Sequence, residues 1–274
     1  MYGDVESVTI TSYFLEDSFG VLSRSKIVGK ICYNFNEFGD VTEVAGYNSA
    51  GSLSSKSICK YDSKGNLTEA SLYNSASSLS SKSIFKYDTK GNKIEEVLYN
   101  SDGSLWYKLT VKYDTKGNIT EDVLYNSDGS LKGKYTYKYD TKGNKTEAAE
   151  YTPDGTIRNK KIYKYDTKGN KTETAEYNPN GSLNWKEIYK YDTKGNETEV
   201  AFYNSDGSLR NKKICKYDTK GNKTEEARYA SDGLKHKLTY KYDSQGNITE
   251  LTECYAYMQI PESHVFTYTI IYRK

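Results

Sequence analysis

Between residues 31 and 250, apolar and aromatic residues alternate with Lys, Thr and Glu in short segments broken by glycine-centred turns, as in "LKGKYTYKYDTKGNKTEAAEY" (131–151). A period of two is the mark of a strand covered on one face. Each unit carries two turn signals, "DTKGN" and "NSDGS", separated by segments of about eight residues rich in Tyr, Thr, Ile and Val, a pattern of β-hairpins joined in a meander. The first fits a type I turn followed by a left-handed Gly, and the second a turn with Asp-Gly at its tip. Both are too short for a parallel crossover, so the sheet is expected to be antiparallel throughout.

Aligning each "KYD" places Tyr61, Tyr87, Tyr113, Tyr139, Tyr165, Tyr191 and Tyr217 at a constant 26-residue period. Tyr242 follows 25 residues after Tyr217 (242 − 217), and Phe35 opens a degenerate first copy. The missing residue falls in "ASDGLKHK", inside a turn, where an indel leaves the array in phase. A fixed period of this length marks a repeat architecture. The expected fold is all-β: a repetitive antiparallel hairpin meander, an elongated single sheet that twists or coils with its tyrosine face inward. Residues 1–274 read as one domain, with an N-terminal cap over 1–30, about nine repeats over 31–250 and a capping strand over 251–274. The ends carry more Val, Ile and Phe than the middle.

If Thr141, Lys142 and Gly143 form a three-residue loop, Asp140 lies opposite Asn144 and every pair behind it follows. Tyr139 then faces Lys145, Tyr137 faces Glu147 and Tyr135 faces Ala149, while Lys138 faces Thr146 on the reverse side. This register predicts one tyrosine-rich face that also holds the Glu of each "TE", placed to accept from a Tyr hydroxyl, and one face of Lys, Thr and Glu.

Composition fits a thin sheet better than a thick core: the mean hydropathy is −0.85, and Tyr, at 29 residues, far outnumbers the 7 Phe and 2 Trp. Lys plus Arg number 39 against 37 Asp plus Glu, a balance that gives no reason to expect nucleic acid or an anionic membrane as the natural partner. Cys32, Cys59, Cys215 and Cys254 have no metal-ligand spacing and read as small apolar fillers. The opening "MYGDVESVTI" has no basic n-region followed by an apolar h-region, and no apolar run of about 18 residues spans a membrane.

"YDTKGNKTE" followed by "DGSL" and a further "YKYD" resembles the YD repeat of the Rhs and wall-associated family. The matching residues include Tyr87-Asp88 with Gly91-Asn92, Tyr113-Asp114 with Gly117-Asn118, and Tyr165-Asp166 with Gly169-Asn170, and the resemblance runs over about residues 31–250. It implies long hairpin sheets that coil, and a role in binding, often of carbohydrate, or in wrapping a toxic C-terminal segment.

Repetition argues against an active site, since nearly every polar residue recurs at the same offset in each unit. His236 and His264 stand without a nucleophile signature, and no cofactor or metal is expected: "NSDGS" echoes a calcium loop but lacks its remaining ligands. The N-x-T sequons at Asn66, Asn118, Asn144, Asn170, Asn196, Asn222 and Asn247 share one place in the repeat and read as by-products of it. Departures from the repeat are better candidates, above all Trp106 and Trp185 just after the "GSL" turn. With Tyr107, Tyr137, Tyr163 and Tyr189 they form the expected ligand-binding set, alongside a plainer reading as packing residues. The function expected is a non-enzymatic scaffold, extracellular or on a bacterial cell surface, that presents an extended face to a partner, an unknown protein or carbohydrate. The alternatives are a carbohydrate-binding module and a fragment of a toxin-enclosing β-shell.

Overall fold

The computed structural model describes residues 5–18, 21–255 and 264–272. Among these every regular element is a strand: β1 (Val5–Ser18), β2 (Val21–Phe35), β3 (Val41–Asn48), β4 (Leu53–Tyr61), β5 (Leu67–Asn74), β6 (Leu79–Tyr87), β7 (Lys93–Asn100), β8 (Leu105–Tyr113), β9 (Ile119–Asn126) and β10 (Leu131–Tyr139). The second half continues with β11 (Lys145–Tyr151), β12 (Ile157–Tyr165), β13 (Lys171–Tyr177), β14 (Leu183–Tyr191), β15 (Glu197–Asn204), β16 (Leu209–Tyr217), β17 (Lys223–Ala230), β18 (Gly233–Tyr242), β19 (Ile248–Tyr255) and β20 (His264–Tyr272). The antiparallel hairpin meander expected from the 26-residue repeat is what forms.

The chain divides into two compact units, Ser83–Ile214 and the remainder, Met1–Lys82 with Cys215–Lys274. In the first, β7 to β16 pair each with the next in antiparallel order. In the second, β1 lies between β2 and β20, so the two ends of the chain meet edge to edge; Thr9 faces Cys32 on one side and Thr269 on the other. Pairing covers those edges, which would otherwise offer free N–H and C=O groups to another chain.

The turns match expectation. Asp140 N–H donates to the Asn144 carbonyl at 2.9 Å and Gly143 N–H to that of Asp140 at 3.1 Å, with Gly143 left-handed at φ 86°. The Asp140 carboxylate accepts from the Lys142 and Asn144 amides and from the Asn144 side chain, closing the loop on itself.

Behind the turn the register departs from expectation. Tyr139 faces Lys145, but Lys138 faces Glu147, Tyr137 faces Ala148 and Tyr135 faces Glu150. Thr146 is the extra residue of a bulge, and one extra residue reverses the face of everything behind it. The Glu of each "TE" therefore joins the lysines and not the tyrosines, and the predicted bond from a Tyr hydroxyl to this Glu does not form. Glu147 instead takes Lys138 at 3.0 Å and Lys160 at 2.8 Å from its two flanking strands. Glu69, Glu95, Glu121 and Glu225 each hold two lysines in the same way.

Between these ion pairs lies a column of small residues. Ala45, Ala149, Ala175, Ala201 and Ala227 are buried; Lys160, directly across from Ala149, sends its amine to Glu147, so that its stem runs along this face. This face repeats almost unchanged, and its ion pairs tie each strand to both neighbours in a chain with few aliphatic residues. The KYD tyrosines add a second repeated contact: Tyr139 donates its hydroxyl to the Ile119 carbonyl of the preceding hairpin at 2.8 Å, and Tyr113, Tyr165 and Tyr191 do the same to Lys93, Lys145 and Lys171.

Candidate functional site

The opposite face changes from copy to copy. Two positions before each KYD tyrosine stand Cys59, Phe85, Val111, Tyr137, Tyr163, Tyr189 and Cys215 in turn. Immediately before and after each small residue of the column, the returning strands offer Glu96, Asp122, Ala148, Thr174 and Val200 at one position and Leu98, Leu124, Glu150, Glu176 and Phe202 at the next on that face. If function resides where the copies disagree, it resides here.

A second bulge shapes this face. Leu98 pairs with Tyr107 and Tyr99 with Leu105, which leaves Trp106 as the extra residue, so the consecutive Trp106 and Tyr107 open on the same side. Both line an open depression of about 490 Å³ with Leu98, Leu109, Leu124, Asp122, Lys132, Tyr135 and Tyr137. Trp106 is 56% exposed, unusual for the largest apolar side chain.

The polar groups of the depression are coupled in pairs. Tyr107 donates to Glu96 at 2.8 Å, and Glu96 also holds Lys93. Burial, and then this carboxylate, push the Tyr107 hydroxyl up to about 12. For Glu96 burial pulls the other way, but the Lys93 and Tyr107 hydrogen bonds prevail and its carboxyl lies below the usual range. Tyr137 donates to Asp122 Oδ2 at 2.9 Å, while Asp122 Oδ1 is buried with no hydrogen-bond partner. Burial raises the Asp122 carboxyl, against the pull of Tyr137 and Lys145.

The six residues singled out from the sequence do not form one site. Trp106, Tyr107 and Tyr137 meet in the depression. Trp185 is packed: its Nε1 donates to Glu176 at 2.9 Å, its ring stacks on Phe202 at 5.2 Å, and Lys161 lies over it. Tyr189 is tied to Glu187 and to Thr174, and burial is the main cause of its raised hydroxyl; Tyr163 is likewise raised by burial. Sequence reading missed Asp122, Leu124, Lys132 and Tyr135, which come from the next copy, and Leu98 and Leu109, which share the hairpin of Trp106. The signal was present, since Asp122 stands where later copies have Ala148, Thr174 and Val200.

Elsewhere, His236 pairs with Glu253 at 2.7 Å and the ring of His264 lies against Phe14. Among the described residues the cysteines are free and no group of three His, Cys, Asp or Glu stands together as a metal cluster would. No helix of the described residues is long and apolar enough to cross a membrane.

A hairpin array with a KYD latch, a constant ion lattice and a changing reverse face is the architecture of a YD-repeat wall. The family model of the Teneurin YD-shell matches residues 15–249, and the chain belongs to that family. Among solved structures it is similar to the TcdB2-TccC3-Cdc42 complex, at 16% identity and a TM-score of 0.38 over 85% of this chain. It is also similar to a porin-like protein from Bacteroides uniformis, at 14% identity and a TM-score of 0.41, over 97% of this chain and 98% of that one. The chain spans only 14% of the TcdB2-TccC3 chain that it matches. No curated protein matches it by sequence.

Proposed function

We propose that the protein is a non-enzymatic YD-shell scaffold, secreted or displayed on a cell surface, in which the constant face holds the array together and the changing face is presented to a protein partner. The carrying observation is this division of labour. Glu147 and its equivalents repeat one ion-pair pattern from copy to copy, while the reverse face replaces Tyr107 by Gly133, Asn159, Trp185 and Asn211 at one and the same position. A surface free to vary while the fold is maintained elsewhere suits recognition better than support. Family membership supports the shell-wall part of this reading, and with it the enclosing of another polypeptide.

The test is a triple substitution, Trp106→Ser with Tyr107→Ser and Tyr135→Ser. The scaffold reading expects circular dichroism and the urea midpoint to stay near wild type, because these side chains belong to the presented face; loss of the folded state would show that the face is core and sink the reading. The exposure of Trp106 also favours a carbohydrate-binding module. A glycan array separates the two: binding that Trp106→Ala removes and Trp185→Ala keeps selects the module, and no glycan binding eliminates it.

A further inference from the structure

On the changing face, several half-buried rings have a cation of the chain's own above them. Lys145 lies 4.2 Å over Tyr137, Lys171 4.2 Å over Tyr189, Lys161 5.4 Å over Trp185, Arg210 5.4 Å over Phe202 and Lys93 5.4 Å over Phe85. The carboxylates of this face recur with donors: Glu150 holds Arg158 and Asn159, and Glu176 holds Asn184, Trp185 and Lys161.

The depression at Trp106 breaks both habits at once. Among the described residues no cation caps Trp106, because the bulge position that carries Lys132, Arg158 and Arg210 in other copies here carries the ring itself. Beside it, Asp122 has one oxygen with no donor. The ring without its cation and the carboxylate without its second donor line the same depression, and its remaining wall is Leu98, Leu109, Leu124, Tyr107, Tyr135 and Tyr137, with Lys132.

From this juxtaposition we infer that the depression binds an organic cation with an apolar or aromatic body, its ammonium group supplied to Asp122 and to the faces of Trp106 and Tyr135. A ring face attracts a cation by its quadrupole, and the attraction grows as water is excluded. The last torsion of an Asp side chain is broad, so either carboxylate oxygen can turn toward an incoming N–H. A sugar fits less well, because apolar and aromatic side chains occupy most of the wall and a single acceptor is unmet. Lys132 lines the same depression and opposes the cation, which gives the proposal a test of sign.

The inference rests on the reading of this face as the presented one. Isothermal titration of the full chain at pH 7 uses phenethylammonium, its neutral analogue 2-phenylethanol and its anionic analogue phenylacetate. Saturable binding of the ammonium is expected, weakened about tenfold or more by Trp106→Ala and by Asp122→Asn, with both analogues weaker by a similar factor. Lys132→Ala tightens it. Nα-acetyl-lysine amide, compared with phenethylammonium, shows whether a side chain of a polypeptide or a free aryl amine fills the site better. Equal binding of 2-phenylethanol, an unchanged Asp122→Asn titration, or no saturable binding of any amine in the millimolar range overturns the proposal. Those results leave the presented face intact, whereas unfolding of the triple serine variant removes the face and the site together.

Discussion

Tyr139 and Glu147 do most of the repeated work, and each does something different from what its place in the phrase suggests. The Tyr139 hydroxyl reaches past its own hairpin to the Ile119 carbonyl, at the point where the bulge of the preceding hairpin disrupts the ladder. Tyr139→Phe removes that bond and leaves the carbonyl unmet, so a loss of about 1 kcal/mol is expected in urea unfolding; an unchanged midpoint would show the latch to be incidental. Glu69 is drawn down to about 2 by hydrogen bonds from Lys82 first and Lys60 second, and Glu95 and Glu121 are lowered by their own lysine pairs. A carboxyl lowered in the folded state contributes stability that is complete above its ordinary value of 4.5 and is lost as the pH falls toward its folded value. Stability is thus expected to be level from neutral pH to about 5 and to fall between about 4.5 and about 2, a window that urea titrations at stepped pH would resolve. Loss beginning near pH 6 would contradict the lattice carboxylates as its source.

The hairpin elements were legible in part, and the boundary of legibility is a bulge. Asp140, Gly143 and Asn144 announced their turn because each type has a physical reason to be there: a carboxylate for three donors, a left-handed backbone, and an amide to close the loop. The register behind it was not legible, because an inserted residue is a matter of geometry and alternation alone does not reveal it. The Thr before the Glu was a partial signal: Thr68 and Thr198 return their hydroxyls to the carbonyls of Lys60 and Lys190, each at 3.2 Å, across the bulge. The second bulge had no such marker, since Trp106, Lys132, Arg158 and Asn184 share no chemistry, and so half of the Trp106 site stayed hidden. One turn departs from the rule: Ser77 is left-handed at φ 59° where other copies place Gly. Ser77→Gly is expected to raise stability by up to about 1 kcal/mol, whereas Gly143→Ala, forced into the same region, costs roughly 1–2 kcal/mol. Equal midpoints for both variants would mean that these turns adapt at no cost.

In the whole molecule, a repeated ion-pair face and a varying face lie on opposite sides of the strands, which is how a chain of such low hydropathy holds its strands without a thick core. Single exposed ion pairs contribute about 0–1 kcal/mol, so no one of them matters greatly, but the repeat multiplies them across every hairpin. In the unit that contains both chain ends, β1 and β20 close each other's edge. Removing residues 264–272 should therefore expose β1 and favour association through it, measurable as a rise in scattering with concentration. The central claim is that the lysine–glutamate face carries the fold. It is tested most directly by urea unfolding of a chain with Glu69, Glu95, Glu121, Glu147, Glu173, Glu199 and Glu225 all changed to Gln, beside wild type, at pH 7 and pH 2.5. The account predicts a lower midpoint for the variant at pH 7 and a much smaller loss than wild type on going to pH 2.5. An unchanged midpoint at pH 7, with the same acid loss in both chains, would contradict it.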